Sequence, residues 1–408
     1  MLNFARFLLN KNGALTVNRQ ISLCRYNHLL SRNFRKNINI ESKLGRSCQT
    51  RCNSTQKKND KVVGSWLLCC GGMVYVAVTL GGITRLTESG LSMVNWKLLG
   101  EEKPTTIEEW KAEFSNYQQY PEYKLKNRSM TLEEFKFIYM MEYIHRMWGR
   151  GIGAVFVIPA VYFWKRGYLT NSTKKHVVIL GALIGLQGLM GWYMVKSGLE
   201  DKFQDVNDVP RVSQYRLASH LAAAFVLYSV FLSSGLRKLL PSTENFTSSK
   251  NLLHLKKIAN LSKGFVFLTA VSGAFVAGLD AGLVYNSFPK MGDKWIPDDI
   301  LLYQPIQRNF TENPTTVQFN HRIFGITTLL TVSLLWIYSR KCVLPKRVLY
   351  AINATMTMAW LQATLGVSTL LNHVPVHLAT AHQSGSLLLL SFALWLSQEL
   401  RFLKYIPK

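Results

Sequence analysis

The sequence predicts an all-α membrane protein, with eight transmembrane helices arranged as two pseudo-symmetric four-helix bundles. Three observations carry this. Eight apolar runs reach the roughly 20 residues that a helix needs to cross a bilayer. Basic residues concentrate in alternate loops. Four segments of the first half recur, in the same order, in the second. Of the 408 residues, 48% are hydrophobic and only 17% charged, a low charge content for a soluble chain.

Residues 1–58 hold 12 Lys or Arg and one acid, Glu41. The stretch is rich in Arg, Ser and Asn and has no apolar core before a small-residue cleavage site. It reads as a mitochondrial transit peptide or disordered leader rather than a secretory signal. The first apolar run, 62–83, contains Cys69 and Cys70. The second, 136–164, begins with the semi-polar FKFIYMMEYIH. Runs 177–195 and 214–236 complete a first unit, residues 59–240. Runs 260–280, 317–339, 348–371 and 377–398 make a second, residues 241–408. The six cysteines form neither a disulfide framework nor a zinc site.

The net charge of +25 does not point to nucleic acid, because beyond the leader it sits in short loops. Loops 165–175 and 340–347 each carry four basic residues and no acid, and loop 236–257 carries five against Glu244. Loops 84–135, 196–213 and 281–315 have more acid than base. The positive-inside rule then puts both termini on the inner side, the matrix if the leader is mitochondrial.

The repeat runs as follows. GGITRLTESGL (81–91) parallels GAFVAGLDAGL (273–283), EYIHR (142–146) parallels QFNHR (318–322), LQGLMG (186–191) parallels LQATLG (361–366), and LASHLAAAFVLYS (217–229) parallels ATAHQSGSLLLLS (379–391). It aligns His145 with His321 and His220 with His382, one on each even-numbered run. A lone His in an apolar helix is usually a packed residue. Four at matching places are different, because ionisable groups inside a membrane are costly. Imidazoles facing one another across a bundle are axial ligands for haem iron.

Glu142-x-x-His145 also resembles a di-iron motif, but that site needs a second copy and two more carboxylates. Gln318 stands in the second copy, and no carboxylate accompanies His220 or His382. The contrast between Glu142 and Gln318 predicts one reactive half and one electron-carrying half, since a carboxylate can move protons and an amide cannot. The alternative is that Glu142 only pairs with Arg146. Arg85, Arg146, Arg216 and Arg322 suit haem propionates and suit interfacial anchoring equally well.

The segments GGITRLTESGLSMVNW, EYIHRMWGRGIGAVF, LQGLMGWYMVKSGL, ASHL, FNHRIFG, LQATLG and AHQSGS together resemble the haem A synthases of the mitochondrial inner membrane, over roughly residues 62–400. The resemblance implies oxidation of the C8 methyl of haem O to the formyl group of haem A, for cytochrome c oxidase, by two hydroxylations and loss of water. It implies that His145 and His220 flank haem O, that His321 and His382 ligate haem b, and that Glu142 is catalytic, with Arg146 and Arg322 as further cofactor-binding residues. Many bacterial relatives carry a cysteine pair in the first outer loop. Here 84–135 has none, which rules out thiol chemistry there and points to a matrix ferredoxin-type electron donor. Haem O synthase, membrane lipid and a second copy of the chain are the other partners expected. A bis-His cytochrome that only carries electrons and a haem transporter are the rival readings. The haem content of the purified protein separates them.

Overall fold

The structure, a computed structural model, describes residues 39–97, 100–200, 211–241, 245–247 and 251–405. The first 38 residues of the leader and most of the acidic 196–213 loop lie outside them. The chain forms α1 (Asn39–Leu86), α2 (Ile107–Tyr117), α3 (Pro121–Leu125), α4 (Leu132–Lys165), α5 (Asn171–Leu199) and α6 (Gln214–Leu239). A short strand β1 (Asn245–Thr247) leads to α7 (Asn251–Gly278), α8 (Asn309–Glu312), α9 (Pro314–Ser339), α10 (Lys346–Leu371), α11 (Val376–Arg401) and β2 (Leu403–Tyr405). β1 and β2 pair in parallel. The leader boundary at residue 58 falls inside α1, which begins within the basic stretch.

Residues Gln56–Leu86 of α1, together with α4, α5, α6, α7 and α9, are long and apolar enough to cross a membrane. α10 and α11, at 26 residues each, are as long as α6 and α9. They are more polar, because Asn353, Gln362, His382 and Gln383 interrupt their apolar runs. Large apolar side chains face outward along the long helices. Ile158, Leu189, Leu330 and Tyr350 are all more than three-fifths exposed, as a lipid-facing surface requires.

Helix starts follow local chemistry. Thr106 with Glu109 and Thr131 with Glu134 form capping boxes at α2 and α4. The Asn313 side chain accepts from the backbone of Thr315 and Thr316 to start α9, with Pro314 in its first turn. Each satisfies backbone N–H groups that a helix end leaves open.

α1 packs on α4 and α6, α7 packs on α9, and α10 packs on α11, while α1, α6, α7 and α11 meet in the middle. The largest apolar cluster therefore spans both halves, from Val63 and Phe231 to Val332 and Leu387. The 84–135 segment is more than a loop. α2 and the projecting start of α4 enclose a second cluster of Met93, Trp110, Tyr117, Phe135, Ile138 and Tyr139. Phe135 lies with its ring 4.9 Å from Phe114 and 5.3 Å from Tyr117. This is why α4 begins at Leu132, four residues before the apolar run. The repeat appears in the backbone as well: Glu88 and Asp280, which align, both adopt the left-handed conformation just after α1 and α7, at φ 53° and 52°.

Candidate functional site

His145, His220, His321 and His382 stand on α4, α6, α9 and α11, near the end of the molecule that carries α2. Each ring lies against a glycine of a neighbouring helix. A Cβ added at Gly81, Gly191, Gly273 or Gly366 would come 2.9, 3.5, 3.1 or 2.8 Å from the Cε1 of His145, His220, His321 or His382 respectively. These glycines match in pairs across the repeat, Gly81 with Gly273 and Gly191 with Gly366. Absence of a side chain at each lets the Cε1 corner of the imidazole approach the next helix, beside a cavity. That cavity, about 1750 Å³, is lined by all four histidines. It is larger than the ~300–1,000 Å³ of ordinary small-molecule pockets.

The rings of His321 and His382 have centroids 6.3 Å apart and planes at 87°. Two metal–nitrogen bonds of about 2 Å, with the half-width of each ring, span nearly that distance. His321 Nδ1 has a hydroxyl partner, Ser272. Ser272 Oγ lies 2.8 Å from both the Thr269 carbonyl and His321 Nδ1, and when it donates to the carbonyl it accepts from Nδ1–H. Nε2 is then the unprotonated nitrogen, the form a metal needs. Gln362 packs its amide 3.0 Å from His382 Nδ1, and its Oε1 is buried with no hydrogen-bond partner. Its Nε2 also donates to the His382 carbonyl at 2.7 Å, which ties His382 to α10. In the first half, His145 Nδ1 and His220 Nδ1 are buried and have no hydrogen-bond partner among the described residues. The donor set fits a metal porphyrin, with the second-half pair more firmly fixed.

Glu142 is buried, 2% exposed. Its Oε2 accepts from Ser92 Oγ at 2.7 Å and Met93 N at 2.8 Å, and its Oε1 accepts from Arg146 at 2.6 Å. Arg146 also donates to the carbonyls of Met93 and Asn95, both at 2.8 Å. Charge-assisted bonds of this kind offset the burial of both charges. Gln318 holds the equivalent place with inverted polarity. Its Nε2 donates to the carbonyls of Ala281 and Tyr285 at 2.8 and 3.2 Å, and its Oε1 accepts from Arg322 at 3.0 Å. Each pair clamps the segment that follows α1 or α7. The ion pair of Glu142 with Arg146 is therefore real, and the carboxylate lines the cavity as well.

The other arginines are also engaged. Arg85 bonds Asp280 at 2.8 Å across the two halves. Arg216 donates to the Tyr193 carbonyl at 2.6 Å and stacks 3.6 Å from that ring. Arg85 Nε and Arg322 Nε, by contrast, are buried donors without a partner.

Several features were absent from the sequence reading: the glycine–histidine pairs, the Ser92 and Met93 clamp, Ser272, and Glu122. The signal for the first was already in the aligned repeats, where the four glycines recur with the histidines. Glu122, in α3, accepts from Tyr117 Oη at 2.9 Å and lines the same cavity. Burial pushes its carboxyl up to about 8.

The COX15-CtaA family, described as cytochrome oxidase assembly protein, matches residues 64–394. The chain is 57% identical over 346 residues to heme A synthase COX15 of Bos taurus, covering 85% of this chain and 83% of the bovine protein. It is 42% identical over 370 residues to heme A synthase COX15 of Saccharomyces cerevisiae, covering 84% and 76%. It is 41% identical over 375 residues to a heme A synthase-mitochondrial ferredoxin fusion protein of Schizosaccharomyces pombe, covering 85% of this chain and 61% of the fusion. A match across most of the chain shows that this chain belongs to the COX15-CtaA family of cytochrome oxidase assembly proteins.

Proposed function

We infer that this chain is a haem A synthase of mitochondria, which oxidises the C8 methyl of haem O to the formyl group of haem A for cytochrome c oxidase. The observation that carries the site assignment is the set of four histidines, each backed by a glycine, around one cavity that also receives Glu142. His145 and His220 hold haem O, the substrate, by its iron. His321 and His382 hold haem b, and the side-chain partners that hold both rings, Ser272 and Gln362, favour a permanent ligand there. When bound, haem b supplies one-electron transfer.

Glu142 lies one helical turn before His145 and on the same face. Oxidising a methyl group releases protons and builds positive charge near the carbon. A carboxylate at this place accepts the proton and stabilises the charge. Ser92 Oγ has a second acceptor, the Ser89 carbonyl at 2.8 Å, so turning that hydroxyl frees Oε2 to take a proton. Arg146 holds Oε1 in place, and Arg85 and Arg322 offer their free Nε donors to propionates.

All eight long helices cross the inner membrane as two four-helix units, 59–240 and 241–408, with both termini in the matrix. Dioxygen is the oxidant that each hydroxylation consumes, and ferredoxin supplies the electrons that reduce it, a donor supported by the fused yeast relative. Haem O synthase is the source that hands over the substrate. The test is the haem content of purified variants. His145→Ala or His220→Ala should lose haem O and haem A while keeping haem b. His321→Ala or His382→Ala should lose haem b first. The reverse pattern, or unchanged haem in all four, would overturn the assignment.

A further inference from the structure

The two halves differ in the wall between the second and third long helices of each. In the first half that wall is the line between α4 and α5. Gly149 and Gly153 on α4 and Gly185 and Gly188 on α5 all line the cavity, and a Cβ added at any of the four would meet nothing within 4 Å; of these, Gly149 has an equally open counterpart in Gly325. The repeat puts Leu329 where Gly153 stands and Trp360 where Gly185 stands. α4 and α5 also pack less closely than α9 and α10, their counterparts.

The cavity follows this gap. Along α4 it reaches Val157 and Ile158, about 20 Å past His145 at ~1.5 Å per residue. Along α9 it stops at Leu329, about 12 Å past His321 by the same rise. Ile158 and Leu189 line the cavity and are also 70% and 62% exposed, so the extension opens sideways to the lipid. At its head stand His145 Nδ1 and His220 Nδ1, buried and with no hydrogen-bond partner among the described residues.

We propose that the gap between α4 and α5 is a lateral portal through which haem O enters from the bilayer, and that it houses the isoprenoid chain of that substrate. This rests on the reading that the His145 and His220 half takes haem O. Haem O differs from haem b chiefly in that long apolar chain. A polar ring edge needs the arginine end of the cavity, while an apolar chain is most favourable against apolar walls or lipid. A site for haem b needs no such channel, and in the second half Leu329 lines the cavity where the first half has Gly153. The gap therefore gives the first half its preference for a haem with a tail.

The test transplants the closed wall. In the full-length protein, Gly153→Leu with Gly185→Trp should lower the haem O that co-purifies at least tenfold, while haem b stays at the wild-type ratio per chain. Titrating the same variant with protohaem, which has no tail, should still fill the His145 and His220 pair. Unchanged haem O would overturn the portal. Loss of haem b with haem O retained would instead overturn the assignment of the halves. Retained haem b is the control for folding. If the double variant does not assemble, the single series Gly188→Ala, Val and Leu decides. Stepwise loss of haem O at constant haem b supports the portal, and a flat series contradicts it.

Discussion

Replacing Glu142 by Gln separates the chemical role of this residue from its structural one. Gln keeps nearly the same volume, so packing changes little. The hydrogen bonds do change. The carboxylate faces donors on both oxygens: Ser92 Oγ, Met93 N and Arg146. An amide NH2 placed toward Met93 N meets a donor, and placed toward Arg146 it meets another. Gln318 escapes this because its own surroundings are carbonyls. Glu142→Gln therefore does not copy the second half. Losing one charge-assisted bond should cost about 1.5–3 kcal/mol of stability. The chemical expectation is separate: haem A per folded molecule should fall at least tenfold, about 1.4 kcal/mol of lost transition-state stabilisation, with haem O accumulating. The assay is the haem A to haem O ratio in purified protein, normalised to folded chain. Ser92→Ala supplies the comparison, since it loosens the same clamp and keeps the carboxylate. A wild-type ratio in Glu142→Gln would refute the chemical role and leave the clamp as its whole purpose.

Ser272→Ala should leave the fold intact but free His321 to change tautomer. Haem b affinity should fall by 10–100-fold, the usual cost of losing an outer-shell partner, and the haem b potential should move, as read by redox titration. Glu122 predicts a pH dependence. Its carboxyl is raised from 4.5 to about 8 by burial, so its contribution is intact below about pH 4.5 and is lost as pH rises through 8. Wild-type Tm should decline over that window, and Glu122→Gln should flatten the decline. A C-terminal tag should resist protease in mitoplasts, because Arg401 and Lys404 keep that end inside. Digestion there, but not in intact mitochondria, would reverse the topology.

The long helices were legible because a membrane leaves few options: runs of apolar residues, loop charge and the repeat each point to them. The four histidines were legible for the same reason, as polar groups with no cheap reason to be there. What the sequence hid lay in relations between elements. The aromatic cluster around Phe135 needs α2 folded against the start of α4, and nothing in the 84–135 composition announces that pairing. The Glu142 ion pair and its catalytic reading could not be separated from spacing alone. The structure shows that the pair with Arg146 forms and that the polarity of the surroundings, rather than the side chain alone, distinguishes Glu142 from Gln318. The glycines behind the histidines were printed in the repeat, but only a ring-to-helix contact reveals their purpose.

The most direct measurement supplies haem O, reduced ferredoxin and dioxygen to the purified, full-length protein and follows the pyridine haemochrome spectrum. The account predicts conversion to haem A in the wild type, and none in His145→Ala under the same conditions with haem b still bound. Haem b alone, with haem O left unchanged by the wild type, would contradict it and favour an electron carrier.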